Sequence, residues 1–216
     1  MSLLDWSEVW ALFIPIIILF LTREFAKSSK PVIFYLFLAV ILNFAEDYIW
    51  KNGIKFSFST QPGDNNFIYN THSIVIILLF SWFFICIKQP ILSGVKKIIP
   101  VIYIVFVFIN FSKFEKFTDF SSRTLGLESG LLLFYCLIYY LNVLLQDQSI
   151  IYKKPEFWII TGLSIYVVVN FPIFLFYNYF ALKFENFAID IWDVHNIAYI
   201  IFCIFIAKAF LLQKHE

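Results

Sequence analysis

Charge is scarce in this chain. Asp, Glu, Lys and Arg together supply 14% of the 216 residues, against 61% hydrophobic ones. A soluble domain cannot hide that much apolar surface, whereas lipid removes the need to hide it. Cysteine is scarce too. Cys86, Cys136 and Cys203 all fall inside apolar runs and read as small buried hydrophobes, not as a disulfide framework or a metal cluster. No basic region precedes the first apolar run, which Asp5 and Glu8 head instead, so a cleaved signal peptide is not expected. A net charge of +1, with no basic patch beyond short loops, leaves no footprint for a nucleic-acid partner. Period-two alternation is missing from the apolar runs, which excludes barrel strands.

What is present is a series of seven long apolar segments, at roughly 6–22, 31–50, 68–88, 97–112, 124–146, 156–178 and 190–212, each able to cross hydrocarbon as a helix. The expected fold is an all-α integral membrane protein: one domain over residues 1–216 with seven transmembrane helices. Loops after the odd-numbered segments hold Arg23, Lys27, Lys30, Lys88, Lys96, Lys97, Lys153, Lys154, Lys208 and Lys214. The other side holds Lys51, Lys55, Lys113, Lys116, Arg123 and Lys183. Cytoplasmic loops carry the excess of Lys and Arg, so the N-terminus is expected outside and the C-terminus in the cytoplasm of an inner (plasma) membrane. In the loop from Lys51 to Phe67, an alternating Lys55–Ser59 and the turn residues Pro62, Gly63, Asp64 and Asn65 raise a short hairpin. In the next outer loop Phe111, Phe114, Phe117 and Phe120 recur every third residue. That spacing reads either as a segment lying in the interface with its rings in lipid, or as an extension of the fourth helix.

The polar residues are not spread evenly. Trp192–Lys208 opens with Asp193, His195 and Asn196 and then runs into an apolar helix. The second segment carries Asn43, Glu46 and Asp47 only in its last turns. The third has Asn70, Thr71, His72 and Ser73 at its start, the fifth Thr124, Glu128 and Ser129, and the sixth Asn170 and Pro172 in its outer half. On a helix Asn43, Glu46, Asp47 and Trp50 share one stripe, and Tyr166–Asn170 and His195–Tyr199 are pairs four apart. Pro172 cannot donate to the carbonyl of Val168, so a kink is expected beside Asn170. Ionisable groups at the edge of hydrocarbon are costly without partners or water. They therefore define a candidate ligand site of Asn43, Glu46, Asp47, His72, Glu128, Asn170, His195 and Asn196, rimmed by Trp50 and Trp192 and floored by apolar inner halves. Polar residues are also cheap at any membrane interface, and Asp47, Asp190 and Asp193 fit that reading equally well.

The first three and last three segments echo one another. Glu8 answers Glu128, Lys30-Pro31 answers Lys154-Pro155, Asn43-Phe44 answers Asn170-Phe171, and His72 answers His195. A parallel 3+1+3 repeat, with the fourth helix as linker, is the architecture this implies, and such repeats occur among transporters.

Ser121–Ser129 (SSRTLGLES), Lys153–Tyr166 (KKPEFWIITGLSIY) and the Trp192, Asp193, His195-Asn196 opening of the last segment give the chain a likeness to a known group. Over residues 120–208 it resembles an uncharacterised bacterial seven-transmembrane-helix family, similar to the membrane input segments of some sensor histidine kinases. The resemblance implies a receptor-like protein. The chain ends at Glu216, close after the seventh segment, so a signalling output is expected from a separate partner. Histidine is the side chain whose ordinary protonation change falls near physiological pH, so a small ligand or a proton is the expected signal. A small transporter on the 3+1+3 repeat is one alternative, weakened by inner halves without a polar path. A metal-dependent membrane hydrolase is another. The ceramidase and progestin-receptor-like families carry three zinc-binding histidines, two on the last helix, where this chain has only His195, with His215 on the tail. A retinal pump needs a lysine deep in the last helix, and Lys208 lies at its end. No catalytic Ser–His–Asp or Cys–His set is evident, and no cofactor is expected. The expected partners are the lipid bilayer, a small-molecule ligand and that signalling partner.

Overall fold

A computed structural model describes residues 4–22, 26–58, 61–87, 93–146 and 151–213, the side chains at 5, 185 and 213 excepted. Of the residues named above, Arg23, Ser59, Lys88, Lys214, His215 and Glu216 lie outside it. The described residues form seven α-helices: α1 Ser7–Thr22, α2 Lys30–Asn52, α3 Asn66–Cys86, α4 Ser93–Lys113, α5 Ser122–Leu145, α6 Pro155–Lys183 and α7 Glu185–Gln213. Among the described residues there is no strand.

The helix ends follow local chemistry. Pro31 and Pro155 sit in the first turns of α2 and α6, where a missing N–H costs nothing. Ser121 caps α5, its hydroxyl accepting from the Thr124 N–H at 3.1 Å. Gly53, at φ 57°, closes α2 by donating its N–H to the carbonyls of Ile49 and Trp50, a left-handed position suited to a residue without Cβ.

Six of the helices are long and apolar enough to span a membrane, and α1 is a shorter apolar helix. Its 16 residues reach about 24 Å. The 3₁₀ turn Leu4–Trp6 adds about 6 Å, which brings the first segment to the thickness of the hydrocarbon. The chain is a multi-pass membrane protein, and its surface agrees: Phe20, Phe34, Phe108, Leu144 and Leu182 are all more than half exposed. An apolar surface that broad belongs against lipid.

In the packing, α1 touches α2 and α7, α2 touches α3, α3 touches α5, α5 touches α6, and α6 touches α7. These six close into a ring, while α4 rests outside it against α3 and α5. At Gly162 the helix α6 lies hard against α7. A Cβ on Gly162 would stand 2.5 Å from Phe205 Cβ, so only glycine permits this contact. Inside the ring Tyr35, Phe80, Tyr166 and Phe202 form a buried aromatic floor, with Tyr35–Phe80 centroids 5.2 Å apart and Tyr166–Phe202 stacked at 5.5 Å.

The helices alternate in direction, so the starts of α1, α3, α5 and α7 share one end with the finishes of α2, α4 and α6. This is called the polar end below. Three expectations change here. The loop expected between 178 and 190 is almost wholly helical, with only Phe184 between α6 and α7. At 29 residues each, these helices run to about 44 Å and overhang the polar end as a hairpin. Apolarity ends near 178, but helical backbone bonding needs no apolar surroundings. The Lys55–Ser59 alternation makes no strand among the described residues, because it has no partner to pair with. Phe56 and Phe58 instead stack at 5.3 Å and meet Phe67 edge-on. The Phe-repeat segment also divides. Phe111 lies in α4 and packs on Phe117, Phe114 is exposed, and Phe120 turns inward onto Tyr177 at 4.7 Å. The helix α6 continues through Pro172.

Candidate functional site

The stripe on α2 forms as its spacing requires. Asn43 and Glu46 are buried, Asp47 is half-buried, and Trp50 stands at the rim. All four line a cavity of about 430 Å³ at the polar end. Its other walls come from Glu8 on α1, Tyr69 on α3, and Trp192, Asp193 and Asn196 on α7. The unexpected helical overhang contributes Tyr177, Ala188 and Ile189. Beneath it a second chamber of about 40 Å³ is lined by His72, Ser73, Glu128, Tyr166, His195 and Tyr199, among others. Glu8, Asn43, Tyr69 and Trp192 belong to both.

The expected single pocket is thus two levels that share four lining residues. Asn43, Glu46, Asp47 and Asn196 border the upper one, and Asn43, His72, Glu128 and His195 the lower. Asn170 lines neither, and acts instead through His195. Glu46 is thereby separated from His72, Glu128 and His195, because its place on α2 is nearer the helix end.

The link between the levels is a hydrogen-bonded chain across three helices. Asn170 donates its side-chain N–H to the Tyr166 carbonyl at 2.8 Å, which turns its oxygen toward His195. That oxygen lies 2.6 Å from His195 Nδ1, and His195 Nε2 lies 2.9 Å from Glu8 Oε1. An amide oxygen can only accept, so Nδ1 carries a hydrogen. The Nε2–Oε1 contact then requires one more proton, held either by His195 as an imidazolium or by Glu8 as a carboxylic acid. Without that proton a lone pair would face a carboxylate. Asn43 adds a second tie between α2 and α1, donating to the Glu8 backbone carbonyl at 2.6 Å.

Both histidines rest on the aromatic floor. His72 stacks on Tyr35 at 6.3 Å, and His195 lies against Tyr166, Tyr199 and Trp192. Tyr35 donates to Tyr199 at 3.3 Å, and Ser73 and Tyr103 share a hydrogen bond of 2.6 Å. Glu128 stands beside Ser73. The sequence echo pairs Glu8 with Glu128 and His195 with His72, yet the counterpart of the Glu8–His195 bond is not made: His72 Nε2 has no hydrogen-bonding partner.

Two residues counted with the polar layer serve the loop between α4 and α5. Asn70 donates to the carbonyls of Phe117 and Asp119, both at 2.8 Å. Thr124 joins Asn110, Glu115 and Ser121 in a hydrogen-bonded knot, in which Ser121 donates to Glu115. Glu8 is the residue the sequence reading missed. It is the first acid of a short helix and looks like a hydrated terminus. The echo with Glu128 was the one signal pointing to it.

Among the described residues no three His, Cys, Asp or Glu side chains are grouped as a metal ion would require. Comparison with protein-family models, curated proteins and solved structures finds no match.

Proposed function

We propose that this chain is a receptor-like protein of a bacterial inner (plasma) membrane, with its N-terminus and polar end outside. A small ligand or a proton enters the polar-end cavity and biases how α1 packs against α7, and through His195 how it stands relative to α6. One observation carries the reading: Glu8 borders both chambers and is bonded directly to His195, so whatever changes the charge or contacts of Glu8 acts on a joint between helices. The excess of Lys and Arg on the far side and the likeness to kinase input segments support it. The output passes to a separate signalling partner.

The test is the proton shared by Glu8 and His195. Spin labels at the polar ends of α1 and α6 report their separation. It widens on raising the pH in the wild type, as the shared proton is lost, and stays constant in Glu8→Gln, whose amide donates to a neutral imidazole. Glu46, His72 and Glu128 face the same chambers, so any small response left in that variant is theirs. An identical pH response in both proteins sinks the proposal.

A second reading, transport on a 3+1+3 repeat, draws support from the ring. The α3–α5 and α7–α1 contacts are equivalent under the repeat, and α4 stands outside as a linker would. Cys203, buried two turns below His195, separates the readings. Solute-dependent labelling of Cys203 from the cytoplasmic side favours transport, and continued protection favours a receptor.

A further inference from the structure

We infer that the upper cavity takes an organic cation, an ammonium group carried on an apolar body, with Glu46 as its counter-charge. The inference rests on the ligand-binding reading above and names the chemical class of the ligand.

Among the described residues, the charged ones lining the cavity are Glu8, Glu46, Asp47 and Asp193, with no Lys, Arg or His beside them. Among its lining side chains, the buried polar atoms that lack a partner are all acceptors. Neither carboxyl oxygen of Glu46 has a hydrogen-bonding partner, nor does the side-chain oxygen of Asn43 or of Asn196. All three side chains are at least 97% buried, Glu46 being 2% exposed. Buried acceptors require donors, and a buried carboxylate requires a positive charge as well. Among the described residues no ion pair reaches Glu46. The nearest lysine in sequence, Lys51, is committed to Asp47 at 2.8 Å.

The walls match the other half of such a ligand. Trp6, Trp50, Tyr69, Phe120, Tyr177 and Trp192 ring the cavity, and aromatic faces attract cations. The protein's own chemistry gives an example at the mouth, where the Lys51 ammonium lies 3.6 Å from the centroid of the Trp6 ring while bonded to Asp47. A carboxylate and an indole from the cavity lining thus bracket one ammonium group already. A volume of about 430 Å³ suits an amine with an aromatic or medium-length alkyl body.

The experiment titrates the full chain in nanodiscs with four probes of similar shape: 2-phenylethylamine, its trimethylammonium counterpart, 2-phenylethanol and phenylacetate. Binding is read by calorimetry at neutral pH and low salt. Both cations bind, the alcohol binds at least about tenfold more weakly, and the carboxylate does not register. Glu46→Gln weakens the cations about tenfold or more and leaves the alcohol unchanged. Asp193→Asn, at the half-exposed edge, lowers cation affinity less and guards against misfolding of the deeper variant. Equal binding of alcohol and amine, tighter binding of phenylacetate, or wild-type cation affinity in Glu46→Gln overturns the cation assignment while leaving a ligand cavity. If no probe of any charge binds, the cation assignment and the ligand reading beneath it both fall. The proton-linked α1–α6 separation then stands or falls on its own measurement.

Discussion

Glu8 and His195 are 187 positions apart in the chain and 2.9 Å apart in the fold. One lies in the first turn of α1 and the other about three turns into α7, and their contact fastens the ends of the helical ring together. His195 also reaches Asn170 on α6, so a single imidazole joins three helices.

Breaking that joint lowers stability. His195→Ala leaves Asn170 and Glu8 without their partner inside the bundle and costs about 2–4 kcal/mol, while Glu8→Gln, which retains a donor, costs under about 1 kcal/mol. Thermal melts in detergent rank them against Lys183→Ala, an exposed residue whose loss changes little.

The α6–α7 seam responds to one methyl group. Gly162→Ala forces Phe205 and Phe202 aside and costs about 1–3 kcal/mol, whereas Gly94→Ala, with nothing within 4 Å of the added carbon, is neutral or slightly stabilising. Parallel melts of the two variants check this.

Loop anchoring by Asn70 is separable from the site. Asn70→Ala releases the carbonyls of Phe117 and Asp119 and loosens residues 114–121. Hydrogen exchange rises there, while the α1–α6 spin-label separation keeps its pH response.

Sidedness is checked with single cysteines at Lys183 and Lys153, in a background with Cys86, Cys136 and Cys203 replaced. An impermeant maleimide added to intact cells labels position 183 and not 153. The reverse pattern inverts the proposed orientation.

Much of this protein is legible in its sequence. Apolar runs of spanning length set the number and order of helices, because lipid leaves the backbone no alternative to internal hydrogen bonding. The helical repeat of about 3.6 residues places Asn43, Glu46, Asp47 and Trp50 on one stripe. The tendency of polar groups toward the ends of spans concentrates Glu128, His72, His195 and Asn196 at one level. Local pattern is a poorer guide at 178–190, where apolarity ends and the helical backbone continues.

Only tertiary packing decided the rest. Which acid meets which imidazole depends on how α1 closes against α7, and equivalent-looking Glu128 and His72 do not repeat the bond. The division into two chambers depends on where Tyr69 and Trp192 project between the helices, and the upper wall on a hairpin overhang. Such contacts join residues more than a hundred positions apart. Periodicity reports which face a side chain occupies on its own helix, but the neighbour it meets is set by the rotation and spacing of a second helix, which no local pattern encodes.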